Sequence, residues 1–460
     1  MSTDDEQSKV APAVARRVAG AAAIGNFMEW FDFAVYGFFA VTIGKVFFPS
    51  DNETASLLSS LAVYGVAFLV RPVGGLVLGA FADRHGRRAA LSLTVVLMGI
   101  STTLVAALPT YASVGFLAPV LLILLRCAQG FSAGGEWTGT SAFLVEYAPK
   151  NRRALWGSVV SMTAALGTLG GAVIALALST SLTEAQLQSW GWRIPFLLAA
   201  PLGAIGLYVR LRLEDTPVFR EMQAENAVSA RPLQESGRRN LRAIGLVMAS
   251  ASISGLGYYY LGSYVITYLT ETVGVERSTA LLTVVGGIAC YALLCPCAGL
   301  LSDRIGRRPS VVTGCFGLVI VSLPMMLLLA TGAPAAAILG MAAFGVFQAM
   351  VNVNGVVILV ELFPAATRVS SSAIGYNLGL AIIAGPGPLI AAALASATDG
   401  GVTPGLYVVA VALVAGIVLV LGLPETRGRP LHAEKPRFRR DGTPAPTVAT
   451  TPVTGSATSR

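Results

Sequence analysis

The feature that most constrains this chain is a succession of twelve long apolar stretches. An α-helix needs about 20 apolar residues to cross a bilayer. Charged residues make up only 12% of the 460 residues, against about 25% in a typical soluble protein. Most of the chain therefore cannot be solvated by water, and we predict an all-α membrane protein. The expected transmembrane helices lie near 19–48, 55–81, 89–109, 115–147, 154–180, 191–211, 241–270, 278–302, 309–331, 334–362, 369–397 and 402–423.

The distribution of basic residues predicts the orientation of these spans. Of the 32 Lys and Arg, 27 fall in the terminal segments and even-numbered connections. Lys45, Arg193 and Arg277 lie near the opposite ends. Short loops rich in Lys and Arg stay on the cytoplasmic side of a membrane. We therefore expect a multi-pass protein with both termini in the cytoplasm, and the net charge of +8 needs no nucleic-acid partner to explain it.

Two motifs recur at matching places and divide the chain into halves. The segments 79–88 and 299–308 both read G-x-x-x-D-R-x-G-R-R, and each joins the second and third spans of its half. A Glu-x-x-Pro-x-x-x-Arg pattern closes the fourth span of each half, at 146–153 and 361–368. We therefore predict two pseudo-symmetric six-helix bundles. The expected divisions are a cytoplasmic tail (1–18), the first bundle (19–211), a cytoplasmic linker (212–240), the second bundle (241–423) and a largely disordered cytoplasmic tail (424–460).

These motifs are similar to signatures of the major facilitator superfamily. The repeated loop resembles its loop signature, and Arg126-x-x-Gln129-Gly130 resembles its fourth-helix motif. Further segments resemble the metabolite:proton symporter branch, at 25–37, 71–75, 129–136, 214–219 and 361–364. The resemblance implies a proton-coupled symporter in a bacterial cytoplasmic membrane that imports a small organic acid or a zwitterion. Known members of the branch carry proline and betaine, citrate, α-ketoglutarate or shikimate.

Ionisable residues inside the spans are the main functional candidates, because they are costly in a membrane and mark ion or substrate pathways. Those expected deep in the membrane are Glu29, Asp32, Arg71, Arg126 and Glu136. Glu29 and Asp32 share one helix face, and counting residues places them near the depth of Arg126. The resemblance adds that the first and fourth helices line the central cavity. We expect Asp32 or Glu29 to carry the proton with Arg126 as its exchangeable partner, and a permanent structural ion pair is the alternative. Arg71 either contacts the substrate or pairs with Glu136.

The spans of the second half contribute neutral polar side chains, which can orient a substrate by hydrogen bonds. The predicted substrate contacts are Tyr260, Tyr264, Gln348, Asn352, Tyr376 and Asn377, together with Arg71, Arg126 and Glu136 of the first half. Bonds between helices, or an aromatic belt at the membrane surface, are the alternative roles for these polar residues.

The repeated basic loops predict a cytoplasmic latch. Asp83 and Asp303 are suited to a helix N-terminus, where an anion is stabilised. The arginines expected to pair with Asp83 and Glu146 are Arg87, Arg88 and Arg153. The resemblance implies that this network steadies the outward-facing state, and a role in topology alone is the alternative. The predicted gating residues are Asp83, Arg84, Gly86, Arg87, Arg88, Glu146, Arg153, Asp303, Arg304, Gly306, Arg307, Arg308, Glu361 and Arg368.

Rival functions are weakened by what the sequence lacks. It contains no G-x-x-x-x-G-K-[ST] phosphate loop, so we expect ion gradients to drive transport, with the proton as coupling ion and no cofactor. Drug antiporters of the superfamily carry a Gly-Pro motif in the fifth span; residues 154–180 contain no proline, which favours symport over antiport.

A membrane enzyme needs clustered His, Cys or carboxylates, and we predict no metal site. Repeated halves favour alternating access over a channel. The expected partners are a small-molecule substrate and the bilayer, with the protein acting as a monomer.

Overall fold

The computed structural model describes residues 12–229, 232–233, 235, 240–397 and 401–431. Within these residues the chain is helical and contains no strand. A helix satisfies its backbone hydrogen bonds internally, which is the requirement that lipid imposes. The predictions made for residues 1–11, for most of 230–239 and for the tail after Leu431 lie outside the described residues.

Twelve helical runs correspond in order to the twelve predicted spans, so the predicted fold class is confirmed. In the first half they are α1 (Pro12–Phe38, continued by Ala40–Phe47), α2 (Glu53–His85), α3 (Arg87–Ala107), α4 (Leu117–Tyr147), α5 (Arg153–Ser181) and α6 (Arg193–Leu197 and Ala199–Leu211). In the second half they are α7 (Leu241–Tyr259, Tyr260–Tyr264, Val265–Thr267 and Tyr268–Thr272), α8 (Arg277–Ile305), α9 (Arg307–Ala330), α10 (Pro334–Glu361), α11 (Arg368–Gly379, Leu380–Ala384 and Gly387–Ala397) and α12 (Pro404–Gly422). Short helices at Tyr111–Val114, Glu184–Gln186 and Pro217–Ala224 lie in the connections.

Two of the twelve runs do not qualify as single membrane-spanning helices. By length and composition, ten helices of the described chain can cross a membrane, and α1 makes an eleventh when its two pieces, bent by 67°, are taken together. The remaining run, α11, is interrupted by a π-helical turn at Leu380–Ala384 and a further turn before Gly387. Interrupted helices in transporters are tolerated where they are buried or border a cavity.

The halves meet along two equivalent helix pairs. α2 of the first half packs along α11 of the second, and α8 of the second half packs along α5 of the first. The first glycine of each repeated motif permits this approach: Gly79 lies against Ser370, and Gly299 lies against the backbone of Ala154. Small residues allow helix backbones to approach closely in membranes. We call the end of the molecule that carries the two repeated basic loops, 84–88 and 304–308, the basic end.

Candidate functional site

Asp32 of α1 and Arg126 of α4 form an ion pair inside the first half. Arg126 Nη1 donates to Asp32 Oδ2 at 2.7 Å, and Gln129 Nε2 donates to the other carboxylate oxygen at 2.8 Å. The guanidinium lies over the ring of Tyr36, 3.8 Å from its centroid. All four side chains are buried. Arg126 was expected to pair with Asp32 or Glu29, and the structure shows the pair with Asp32.

Glu29 lies one helical turn nearer the basic end and pairs with Arg71 of α2. Both side chains are about 1% exposed, and the guanidinium of Arg71 lies 5.3 and 5.6 Å from the ring centroids of Phe33 and Phe68. Among the described residues, Glu29 Oε2 and Arg71 Nε and Nη1 have no hydrogen-bond partner. Buried polar atoms are rarely left unpaired, so this pair has unused capacity for a proton, a water or a ligand.

Glu136 of α4 belongs to a third buried pair that sequence analysis did not predict. Arg210 Nη2 donates to Glu136 Oε1 at 2.5 Å, and the Thr94 hydroxyl also donates to this carboxylate. The suggested pairing of Arg71 with Glu136 is therefore wrong. From the sequence, Arg210 counts as a loop residue because it is next to last in α6. In the structure its long side chain turns inward and is only 2% exposed.

Aromatic side chains fill the interface between the halves beside the Glu29–Arg71 pair. They are Trp30, Phe68, Trp137, Tyr258, Tyr259 and Tyr376, here called the aromatic cluster. The ring of Trp30 lies edge-on to Tyr258 of α7 at 4.7 Å, and Phe68 lies edge-on to Tyr259 at 5.5 Å, both measured between centroids. Within the described part of the chain, Trp30 Nε1 and the Tyr259 hydroxyl have no hydrogen-bond partner. The cluster thus combines aromatic faces with unused donors.

A small cavity lies between the halves next to this cluster. Trp137 and Tyr376 form one wall, with their rings stacked in parallel at 5.7 Å. The other walls come from Val247, Ser250, Ala251, Ser254, Gly355, Val356, Ile358 and Leu359. Its volume is about 10 Å³, which is room for about one water. The path between the halves is therefore nearly closed in this structure.

Tyr260 and Tyr264, two of the predicted substrate contacts, lie outside the aromatic cluster. The Tyr260 hydroxyl donates to the carbonyl of Pro404 at 2.7 Å, and the Tyr264 hydroxyl donates to that of Ala391 at 3.5 Å. Both therefore point to helices of their own half. α7 is π-helical from Tyr260 to Tyr264, so the tyrosine stripe expected from regular α-helical spacing does not face the first half. The residue of α7 that contacts Trp30 most closely is Tyr258.

The amide side chains predicted as substrate contacts are held by hydrogen bonds near the interface. Gln348 Nε2 donates to the carbonyl of Ser254 at 2.7 Å, and Asn352 Nδ2 donates to the Tyr291 hydroxyl at 2.6 Å. Asn377 Nδ2 donates across the interface to a backbone carbonyl of α4 at 2.9 Å. Gln348 Oε1 and Asn377 Oδ1 lack a partner among the residues that the structure describes. Their roles toward a substrate stay predictions.

A symmetrical network, here called the latch, joins the halves at the basic end. Asp83 accepts hydrogen bonds of 3.2 and 2.8 Å from backbone N–H groups in the first turn of α11. Asp303 accepts bonds of 3.0 and 2.9 Å from the corresponding groups of α5. Each aspartate therefore caps a helix of the opposite half, where the helix dipole stabilises a negative charge.

The arginines that end the repeated Glu-Pro motifs exchange partners between the halves. Arg368 pairs with Glu146 at 2.6 Å, and Arg153 pairs with Glu361 at 3.3 Å. The expectation that Arg153 pairs with Asp83 or Glu146 is therefore wrong. Arg153 begins α5, which packs along α8 of the other half, so its side chain reaches a glutamate of that half.

The motif arginines connect the aspartate and glutamate within each half. Arg87 lies 3.3 Å from Asp83 and 3.5 Å from Glu146, and Arg307 makes the equivalent contacts at 2.8 and 3.4 Å. Arg88 donates to the carbonyl of Leu211 at the end of α6, at 2.8 Å, and not to Asp83 or Glu146, so its expected pairing is wrong. Arg308 donates in the same way to a carbonyl of α12, at 2.8 Å.

Arg84 and Arg304 do not join the latch. Their side chains are exposed, and neither forms an ion pair with another described residue. Each lies two residues before the glycine of the turn, Gly86 or Gly306. Their inclusion among the gating residues is therefore not supported by this geometry.

Two acidic residues complete the latch although sequence analysis did not assign them to it. Asp215 caps α3 by accepting from its first two backbone N–H groups, at 3.1 and 3.3 Å. Glu425 caps α9 in the same way, at 2.9 and 3.1 Å. Burial raises the pKa of Asp215, and its hydrogen bonds offset part of that rise. Thr216 and Thr426 follow these acids, and their hydroxyls donate to Glu146 and Glu361, respectively, at 2.5 Å. The sequence does contain a signal for these residues, because the dipeptide Asp215-Thr216 is matched by Glu425-Thr426, 210 residues later.

Comparisons with known proteins agree with this architecture. The chain matches the family model described as Major Facilitator Superfamily over residues 22–386, and again over 247–456. It is 36% identical over 439 residues to the proline/betaine transporter of Salmonella typhimurium, covering 92% of this chain and 86% of that protein. It is 34% identical over 449 residues to the ectoine/proline transporter of Corynebacterium glutamicum, covering 94% and 89%. A solved structure of the proton:xylose symporter XylE aligns with a TM-score of 0.77 at 18% identity, over 91% of this chain and 98% of that one.

The similarity extends over both halves and nearly the full length of the relatives. No group of His, Cys, Asp and Glu that could hold a metal ion occurs among the described residues. The family match, the multi-span fold and the transporter relatives together establish that the chain belongs to the major facilitator superfamily and is a membrane transporter.

Proposed function

We propose that this protein is a proton-coupled symporter that imports a compact zwitterion, such as a betaine or proline. The observation that carries the proposal is the position of the Glu29–Arg71 pair beside the aromatic cluster. Arg71 has two unpartnered guanidinium nitrogens among the described residues, and a guanidinium fork suits a carboxylate. The faces of aromatic rings such as Trp30 attract quaternary ammonium groups. Both charged ends of a zwitterion therefore find complementary groups at the interface between the halves.

The relatives support the choice of a zwitterion over a simple organic acid. They are named for proline and betaine in Salmonella typhimurium, for glycine betaine, proline, ectoine and pipecolic acid in Dickeya dadantii, and for ectoine and proline in Corynebacterium glutamicum. These compounds share a carboxylate and a positively charged nitrogenous group within one small molecule. Two acids and two arginines, Glu29 with Arg71 and Asp32 with Arg126, are buried in the same half of this chain and can serve both charges.

Proton coupling follows from competition for the buried arginines. In a site of low dielectric constant, a carboxylate without a cationic partner is more stable when protonated. A substrate carboxylate that takes Arg71 leaves Glu29 free to bind a proton, and the same exchange is available to Asp32 and Arg126. Binding of substrate and proton then favour each other. The proton is the coupling ion, and the transport cycle needs no cofactor.

The basic end is proposed to face the cytoplasm of a bacterial cell, with both termini on that side. The excess of Lys and Arg in its loops supports this orientation. The latch then closes the cytoplasmic side of two bundles, 19–211 and 241–423, that rock about the central site in a functional monomer. The cytoplasmic gate is formed by the latch residues, including Arg87 and Arg307, together with the turns at Gly86 and Gly306.

Substrate-driven proton uptake by reconstituted vesicles tests the proposal. Glycine betaine or proline added outside energised vesicles should raise the external pH, and citrate should not. The Asp32→Asn and Glu29→Gln proteins should identify the proton carrier, because at least one should lose the pH change. A fall in external pH would indicate exchange instead of symport. Normal proton uptake in both variants would overturn the assignment to these acids and leave the ion pairs with a structural role.

A further inference from the structure

The Glu136–Arg210 pair is a buried charge pair that the proposed substrate site does not use. Glu136 lies in α4, Arg210 is the next to last residue of α6, and Thr94 reaches the pair from α3. Arg210 Nε also donates to the carbonyl of Ala21 near the start of α1 at 3.2 Å. Four helices of the first half thus surround the pair close to the basic end. Glu136 is 3% exposed and Arg210 is 2% exposed.

A narrow cleft, too small to hold a water molecule, lies inside the first half between this pair and Glu29. Its walls are formed by Gly25, Met28, Glu29, Thr94, Val95, Met98, Ser132, Ala133 and Glu136. Glu29 and Glu136 therefore line the same space. Glu29 Oε2 has no hydrogen-bond partner among the described residues. The cleft is lined by residues of α1, α3 and α4 alone, so it is separate from the interface between the halves.

Gly25 makes room for the pair beside α1. A Cβ atom at this position would collide with Arg210 Nη2 and with Glu136 Oε1. Gly25 lies one helical turn before Glu29, and Asp32 follows almost one turn later. Three carboxylates therefore succeed one another along α1, from Glu136 near the basic end through Glu29 to Asp32. Each has an arginine partner of its own.

We propose that Glu136 is a proton-relay residue that takes the proton from Glu29 and passes it toward the basic end, apart from the path of the substrate. The inference rests on the proposed proton symport. In the step, the O–H bond on Glu29 breaks and one forms on Glu136, so one acid gains the negative charge that the other loses. Arg71 then compensates ionised Glu29. Arg210 compensates Glu136 once the proton has left, which a buried carboxylate requires.

The charged groups around Glu136 fit this role. α6 contributes Arg210 and α1 contributes Glu29, whereas α3 contributes only the neutral hydroxyl of Thr94. Glu136 also accepts from Thr140 of its own helix at 3.2 Å. A carboxylate with a cation on one side and a second acid on the other can accept a proton from that acid and release it later.

The Glu136→Gln protein separates a relay from a structural role. Exchange of substrate requires only the loaded transporter to reorient, whereas net uptake also requires the proton to leave. In reconstituted vesicles, Glu136→Gln should exchange radiolabelled glycine betaine within about threefold of the unmodified rate. Its net uptake driven by an inside-alkaline pH gradient should be slower by a factor on the order of 100, the usual effect of losing a proton-transfer group.

Controls keep the experiment decisive. Glu136→Gln leaves Arg210 as an unpaired buried charge, so the single variant can fold poorly. The double variant Glu136→Gln/Arg210→Gln removes that charge and should also combine near-normal substrate exchange with slow net uptake. Glu184→Gln makes the same substitution in an exposed pair with Lys45 and should change neither rate. Proton-driven accumulation at the unmodified level in the single or double variant, or an equal loss of exchange and uptake in both, would overturn the relay. Absence of betaine-driven proton uptake in the unmodified protein would instead refute the proposed symport.

Discussion

Trp30 is the side chain expected to decide how well the site holds a quaternary ammonium group. Trp30→Leu keeps an apolar side chain and removes the aromatic face that packs against Tyr258. A desolvated cation–π contact is worth about 2 kcal/mol, so the Kd for glycine betaine should rise about 30-fold. Calorimetric titration of the purified protein measures this change.

The matched control is Trp190→Leu, because Trp190 is 47% exposed and distant in sequence from the aromatic cluster. Its Kd for glycine betaine should equal that of the unmodified protein. An unaltered Kd for Trp30→Leu would reduce the aromatic cluster to a packing contact between the halves, and the zwitterion would then need another site for its cation.

The deep ionisable residues could be predicted from sequence, but their partners could not. Glu29, Asp32, Arg71 and Arg126 stand out because each interrupts a long apolar run, and counting residues gives their depth. Depth does not give the rotation of one helix against another, so it does not show which arginine faces which acid. Arg210 was missed for a related reason: an arginine near a helix end can extend its side chain either to water or into the protein.

At the scale of elements, Gly86 sets the break between α2 and α3. Its φ of 105° and ψ of 155° lie in a region that only glycine occupies readily. A Cβ atom there would also collide with Asp215, which caps α3. Gly86→Ala should therefore lower the free energy of unfolding by about 1–3 kcal/mol, and Gly306→Ala should do the same where Glu425 caps α9.

Thermal unfolding of the purified proteins measures this cost. Gly65→Ala is the control, since a Cβ atom in that part of α2 meets nothing within 4 Å. Alanine is also the better helix former, by about 1 kcal/mol, so the control should be as stable as the unmodified protein or slightly more so. A Tm for Gly86→Ala equal to that of the control would show that the turn can rearrange without strain.

The spans could be predicted from sequence within a few residues, whereas the irregularities of α1 and α7 could not. Length and apolarity set where a helix crosses the membrane, and both are visible in sequence. The 67° bend in α1 and the π-helical turn in α7 occur without a proline at the break and leave hydropathy unchanged. The interruption of α11 instead coincides with Pro386 and Pro388, which follow its π-helical turn. The π-helical turn at Tyr260–Tyr264 explains why the predicted tyrosine stripe turned away from the interface.

At the scale of the whole molecule, the latch repeats one set of contacts about a pseudo-twofold axis. The two sequence motifs identified most of its members, because each motif occurs once in each half. The exchange of Arg153 and Arg368 between halves could not be predicted, since it depends on how the bundles meet. Each half supplies a glutamate to the arginine of the other, so the network holds only while the basic end is closed.

Asp83→Asn should therefore shift the whole protein toward a state that is open at the basic end. The substitution removes the charge that caps α11 across the interface, an interaction worth up to about 2 kcal/mol in a buried setting, so the open state should be populated up to about 30-fold more often. A cysteine at Ser250, in the wall of the closed cavity, should react correspondingly faster with an impermeant maleimide added from the basic side, as counted by peptide mass spectrometry. Asp303→Asn should act alike because it caps α5 in the same way, whereas Asp51→Asn changes an exposed acid and should have no effect. If neither Asp83→Asn nor Asp303→Asn accelerates labelling, the basic loops fix topology without gating the transporter.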